Sequence, residues 1–375
     1  MKIKICHITS VHTRYDTRIF VKMCNSLAKN NNYKVYLIVA DGNGNETIDG
    51  VDIVDVGANT GGRIHRITTI VKKTYKIAKE LNCRIYHLHD PELIPIGLKL
   101  KKLNKKVIFD VHENIAKQIK SKEHIIKFLR YLISFVYRVY EKWALNKFDG
   151  LILAENSYTK EYGKFSNNVE IVLNMPDISL LSKFYSVNRI KNEMFYLGGI
   201  SVNRGVDVII ETINILKNKI PDIFMHYIGP FEKDFLDRFN LDKIKNNIKF
   251  YGAMPLVEGL EFSLNAKVGL SILKPIDNYL TSYSTKIFEY MAMGLPVITS
   301  DFKLYKDVIE INNCGLCVDP SKPKEVANAI EYIMINPKIA KQMGENGRKI
   351  VEEKYNWEVE KKKMLEFYKK LNGEV

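Results

Sequence analysis

The sequence predicts an α/β fold built as two Rossmann-like domains, and three observations carry that expectation. The chain has 375 residues, more than one hydrophobic core usually serves. Short apolar runs of strand length alternate with segments of helical period. The alternation also runs in two series separated by an irregular stretch. Buried strands alternating with helices imply parallel sheets covered on both faces.

The first series comprises "KIKICHITSV", "YKVYLIVAD", "RIYHLHD", "KVIFDVH", "GLILAEN" and "EIVLNMP". The second begins at "MFYLGGI" (194–200) and continues with "FMHYIGP", "IKFYGAM", "VGLSIL", "PVITSD" and "GLCVDP". Between them, "NMPDISLLSKFYSVNRIKNE" (174–193) has no clear period and reads as a linker. The expected domains are residues 1–177 and 178–356. The final stretch, 357–375, with Trp357, Met364, Phe367, Tyr368 and Leu371 near helical spacing, reads as a terminal amphipathic helix.

Composition narrows the function classes. At 46% hydrophobic and 27% charged residues the chain reads as globular, with no apolar run long enough to span a bilayer and no signal-peptide layout. A cytoplasmic location is expected. The five cysteines are an odd number and read as reduced thiols, and "CGLC" (314–317) reads as packing because a zinc site would need a second ligand pair. The net charge of +14 suits nucleic acid, anionic lipid or phosphorylated small molecules. Nucleic-acid binding would need a zinc module, a groove-reading helix or aromatic-rich basic loops, and none is found.

In open α/β sheets, ligands sit beyond the carboxyl ends of the strands. The most informative stretch there is "YSTKIFEYMAMGLPVITSD" (283–301). Ser282, Ser284 and Thr285 are competent N-caps, "KIFEYMAM" supplies about two turns, Gly294 is placed for a left-handed stop and Pro296 prevents continuation. Such a helix start offers free N–H groups and a positive dipole end to a phosphate. Lys286 in that first turn is unfavourable unless an anion joins it. Glu289, about one turn further in, is placed to accept from a ribose or, alternatively, is a solvated helix residue.

This stretch resembles the signature of the retaining glycosyltransferases of family 4 (group 1), whose E-x7-E element lies in the C-terminal domain of a GT-B fold. The resemblance implies two domains facing each other across a cleft, with the closing helix, 357–375, packing back on the first domain. The second glutamate of the element matches Glu289, implying a ribose contact, whereas the first falls on Thr281. "YLGGISVNRGVDVIIETI" (196–213) is similar to the family's glycine-rich loop that clamps the donor diphosphate. Arg204 stands at its lysine position and Gly199 at its arginine position, leaving Lys286 to supply the missing charge. Gly198, Gly199, Arg204, Ser284, Thr285, Lys286 and Glu289 are therefore the expected donor-binding residues.

In the first half, "HLHDPELIPIG" (87–97) and "KVIFDVHENIAKQI" (106–119) resemble the same branch. His112 matches the family histidine beside the donor sugar, and His112 and Glu289 are the expected catalytic pair. Asp90 and Glu113 are expected on the acceptor side. So are Asp16 and Arg18 of "SVHTRYDTRIFVKM" (10–23), where Asp16 reads equally as an N-cap.

The implied activity moves a sugar, with retention, from a nucleoside-diphosphate sugar of the UDP or GDP type to a glycan or polyprenyl-diphosphate-linked acceptor in cell-surface polysaccharide synthesis. No Asp-x-Asp is present, so no obligatory metal or other cofactor is expected. A nucleotide-sugar epimerase of the same fold and a non-catalytic basic membrane- or nucleic-acid-binding protein are the alternatives. The aromatic, basic segment 120–147 has two readings: a helix covering its domain, or peripheral contact with an anionic bilayer at the inner face of the cytoplasmic membrane.

Overall fold

The computed structural model describes residues 2–121 and 126–373; four residues of the segment expected at 120–147 thus lie outside the described residues. The chain forms two compact units, one made of Met1–Asn174 and Glu360–Val375, the other of Met175–Val359.

The first unit holds eight strands: β1 Ile3–Ile8, β2 Tyr33–Val39, β3 Glu46–Ile48, β4 Val51–Asp55, β5 Ile85–Leu88, β6 Lys106–Val111, β7 Gly150–Leu153 and β8 Val169–Ile171. They lie in the order β3-β4-β2-β1-β5-β6-β7-β8, all pairs parallel except β3 with β4. That hairpin was not among the expected strands. Its two-residue turn, Asp49-Gly50, has positive φ at both positions (52° and 79°), the conformation an Asp-Gly pair favours.

The second unit holds β9 Glu193–Leu197, β10 Phe224–Ile228, β11 Ile248–Phe250, β12 Val268–Ser271, β13 Val297–Ser300 and β14 Gly315–Val318, in the order β11-β10-β9-β12-β13-β14. All are parallel. Both sheets therefore reverse their winding beside their first strand, between β1 and β5 and between β9 and β12. Such a reversal opens a crevice beyond the strand ends.

The strands carry continuous apolar runs because both faces are covered. Ile8, Leu88, Val107 and Leu151 pack with Ile94 and Leu100 of the helix Ile94–Lys101 in one unit. Met194, Met225 and Leu270 pack with Ile209 and Ile213 of the helix Val206–Leu216 in the other.

The segment expected as a linker is instead folded into the second unit. Leu181 and Phe184 are buried, and the buried Arg189 donates to the carbonyls of Ser186 (2.9 Å), Met293 (2.7 Å) and Ser263. Main-chain carbonyls, that of Phe184 among them, draw this guanidinium inside, a pattern invisible in a residue-by-residue reading.

The final helix, Trp357–Asn372, buries Trp357, Met364, Phe367, Tyr368 and Leu371. Tyr368 belongs to the first unit and meets three buried histidines there. His89 Nδ1 lies 3.1 Å from Asp110 Oδ2, His7 Nδ1 lies 2.9 Å from His89 Nε2, and the Tyr368 hydroxyl lies 3.2 Å from His7 Nε2 and 2.8 Å from His87 Nδ1. Because Asp110 only accepts, each group along this row has a fixed role, and the Tyr368 hydroxyl donates to His7 while accepting from His87. Burial holds all three imidazoles below their ordinary pKa, His89 at about 3.

All five cysteines are unpaired, and burial pushes the Cys314 thiol up to about 12.

Candidate functional site

At the winding reversal of the second sheet, β9 ends in Gly198-Gly199 and β12 leads through Leu273 to the helix Thr285–Ala292. Gly198 has φ +138°, and a Cβ there would stand 2.5 Å from Lys286 Cε and 3.1 Å from its Nζ. A Cβ on Gly199 would stand 3.0 Å from Arg204 Nη1. The glycines thus open the space that both cations occupy. Arg204 Nη1 and the Tyr196 hydroxyl both donate to the Gly199 carbonyl, at 3.0 and 2.7 Å, and Lys286 Nζ sits 5.3 Å from the Tyr196 ring centre.

Ser284 occupies the N-cap position, yet its hydroxyl bonds Ser271 Oγ (3.1 Å) instead of the first-turn amides. The helix start therefore remains a donor-rich, positive end. Gly294 closes the helix with φ +72° as expected. A cavity of about 250 Å3 lies over this end, lined by Arg204, Tyr279, Ser282, Ser284, Thr285 and Lys286 among others. Burial and the neighbouring Arg204, opposed by Glu289, lower the Lys286 pKa to about 8. Two cations held close together at the positive end of a helix make a site that gains when an anion arrives.

The structure brings Gly198, Gly199, Arg204, Ser284, Thr285 and Lys286 together. Glu289 is half-buried one turn along the same helix, and Thr281 is exposed at the end of the short helix Asp277–Thr281. Tyr196 and Tyr279 were missed by the sequence reading. Tyr196 does stand two residues before Gly198 in the quoted glycine-rich stretch, the one signal that points to it.

At the reversal of the first sheet, the loops after β1, β5 and β6 meet. Asp90 is buried and accepts from Thr9 Oγ1 (2.9 Å), the Ser10 amide (2.6 Å) and Ser10 Oγ (3.3 Å), all through Oδ2. Its Oδ1 lies 3.6 Å from His12 Nε2. His12 Nδ1 in turn lies 3.3 Å from Asp16 Oδ2, and the His12 and His112 rings meet edge to face at 5.2 Å. The hydrogen bond to Asp16 raises the His12 pKa against the effect of burial. Burial raises the Asp90 pKa, partly offset by the Ser10 amide and His12. His112 Nδ1 faces Asp110 Oδ2 at 3.8 Å, and exposed Glu113 accepts from Gln118 Nε2 (3.1 Å).

Two expectations on the acceptor side change. Arg18 is not presented to an anionic ligand: it is buried, pairs Asp110 through Nε (2.9 Å) and Nη2 (2.8 Å), and donates through Nη1 to the Val172 carbonyl (2.9 Å). Asp16 is the N-cap of the helix Thr17–Cys24, accepting from the amides of Arg18 (2.9 Å) and Ile19 (2.8 Å), and meets the site only through His12. These hydrogen bonds from His12 and the two amides outweigh burial and hold Asp16 at about 2.

Asp90, His12, His112 and Glu113 line a cavity of about 580 Å3 whose remaining wall includes Ile115, Ile119, Ile133, Tyr137 and Tyr140. The last three belong to the helix Lys127–Leu145. Ser134, Glu141, Ala144 and Leu145 are its buried face, whereas Phe128 (75% exposed), Leu132, Phe135, Val136, Val139 and Trp143 form an exposed apolar stripe at helical spacing. The expectation that the apolar face is core holds only for the small buried side. No helix among the described residues is long and apolar enough to cross a membrane.

Comparison with known proteins gives two family matches. Residues 4–177 match Glycosyltransferase Family 4, and residues 179–350 match Glycosyl transferases group 1. An alpha-D-kanosaminyltransferase from Streptomyces kanamyceticus is 24% identical over 165 residues, 44% of this chain and 42% of that protein, so the chain spans less than half of this relative. The sucrose-phosphate synthase of Thermosynechococcus elongatus superposes over 100% of both chains with a TM-score of 0.77 at 16% identity. Anabaena HepE, solved in complex with UDP and glucose, superposes over 98% of this chain and 100% of its own, with a TM-score of 0.69 at 13% identity. With two family matches that between them take in nearly the whole sequence, and with both sheets folded as in these enzymes, the chain belongs to the group 1 glycosyltransferases of the GT-B fold.

Proposed function

We propose that this glycosyltransferase takes its sugar from a nucleoside-diphosphate sugar of the UDP or GDP type and transfers it, with retention, to a glycan or lipid-linked glycan acceptor in cell-surface polysaccharide synthesis. The observation that carries the reading is the pair of cations, Lys286 and Arg204, held open by Gly198 and Gly199 at a helix start. The donor diphosphate lies against Lys286, Arg204 and the amides after Ser284, and Glu289 accepts from the ribose hydroxyls. His112 borders the transferred sugar.

Departure of the nucleoside diphosphate builds negative charge on its leaving oxygen. Fixed cations and oriented N–H groups stabilise that charge without rearranging as it forms. In this reading they do so without an obligatory metal. Solved relatives such as Anabaena HepE with UDP and glucose support the choice of donor class. The exposed stripe of the helix Lys127–Leu145, with Lys127 and Lys142 beside it, rests on the anionic inner face of the cytoplasmic membrane, which brings a lipid-linked acceptor within reach.

The test is product analysis in chelator. NMR of the product from a purified donor should show the donor's own anomeric configuration together with released nucleoside diphosphate. Inverted product would contradict retention, and turnover abolished by the chelator would contradict metal independence.

A further inference from the structure

We propose that the cavity of about 580 Å3 in the first unit binds an amphiphile: a sugar joined directly to an aliphatic or isoprenoid chain. This rests on the transferase reading and deepens it by naming the acceptor class. The cavity's lining is of two kinds. One is polar: His12, Asp90, His112 and Glu113 at the strand ends, with Arg66 paired to Glu92 and the exposed Arg63, where carboxylates, imidazoles and guanidinium groups can accept from and donate to sugar hydroxyls. Asp90 keeps its second oxygen fixed by Thr9 and Ser10, so the oxygen nearest His12 is held in place.

The other is largely apolar: Ile115 and Ile119 on one helix, beside Gln118, and Ile133, Tyr137 and Tyr140 on the next. The hydroxyls of a free glycan find no partner on the isoleucines of this wall. An alkyl chain attached within one sugar of the reacting hydroxyl fills it. The volume is that of an ordinary small-molecule site.

The position of the wall also says how the ligand arrives. The helix that supplies Ile133, Tyr137 and Tyr140 to the cavity turns Phe128, Leu132, Phe135, Val136, Val139 and Trp143 outward, all exposed. Ile133 itself is 44% exposed, so the cavity's apolar side and the outward stripe are continuous. An amphiphile held in a bilayer under this helix enters the cavity sideways without its chain crossing water.

The experiment compares two probes that share a head group, octyl β-D-glucoside below its micelle-forming concentration and methyl β-D-glucoside, by calorimetric titration of the full chain. The octyl probe should bind at least about ten-fold more tightly. Ile133→Asp and, separately, Ile119→Asp should remove that advantage. Because Ile133 is already half exposed, its substitution spares the fold, and unchanged nucleoside-diphosphate binding by the same sample checks this. Phe128→Ser with Val139→Ser, on the outward stripe, should keep the octyl advantage while weakening vesicle binding. Equal binding of the two probes, an octyl advantage that survives both cavity substitutions, or one lost with the outward pair would each overturn the inference. The nucleotide titration reads the donor-site proposal separately, so the two fail independently.

Discussion

Gly198 and Lys286 share a space that only one side chain can fill. A Cβ on the glycine would stand 2.5 Å from the lysine Cε, and the glycine's φ of +138° disfavours any other residue. Gly198→Ala should therefore displace the ammonium and strain the loop together. Nucleoside-diphosphate affinity should fall by about ten-fold or more, with a stability cost of about 1 kcal/mol, read by calorimetry and by denaturant melts.

Lys286 should make nucleoside-diphosphate binding depend on pH. Its pKa is lowered to about 8, so the free site begins to lose its charge as pH rises through that value. A bound diphosphate favours the charged form and raises the pKa. Binding should be level below about pH 7, take up a proton near pH 8 and weaken above it. Calorimetry in buffers of different ionisation enthalpy measures the uptake, and Lys286→Arg, which stays charged, should abolish it.

The histidine row at Tyr368 makes the first unit acid-sensitive. His7, His87 and His89 are neutral when folded, with pKa values lowered by burial, whereas in the unfolded chain they charge below about pH 6.5. The unfolded state then binds more protons, so stability is present above that value and is lost as pH falls. The loss approaches about 1.4 kcal/mol per pH unit for each histidine. Tyr368→Phe leaves His7 Nε2 and His87 Nδ1 without their partner and should cost about 1–3 kcal/mol at neutral pH. Melting curves between pH 4 and 8 check both.

The outward stripe predicts vesicle binding. Phe128→Ser with Val139→Ser should lower partitioning onto phosphatidylglycerol vesicles by about ten-fold, and added salt should weaken the wild type further. Co-sedimentation reads it. Equal partitioning of mutant and wild type would remove the membrane from the account.

Strand existence was legible because buried parallel strands are continuous apolar runs, and β9 through β14 were all named from the sequence. The β3–β4 hairpin escaped because its alternation is short and half polar, although Asp49-Gly50 signals its turn. The cluster of Gly198, Gly199, Arg204 and Lys286 was legible as a cluster because glycines, cations and a helix start sit close together in two short stretches. Arg18 misled because a conspicuous arginine after a strand reads as a ligand contact, while its partner Asp110 lies 92 residues away. Likewise "HLH" places His87 and His89 on one face of a strand, but only the fold brings His7 and Tyr368 to them.

In the proposed function, Glu289 completes a nucleoside-diphosphate site. The most direct measurement is thermal stabilisation of the wild type and of Glu289→Ala by UDP, GDP, ADP and CDP and their sugars, without metal. A selective shift is expected for one uridine or guanosine diphosphate, lost or strongly reduced in the mutant. A folded wild type that shows no shift with any of them, or a mutant that shifts as the wild type does, would contradict it.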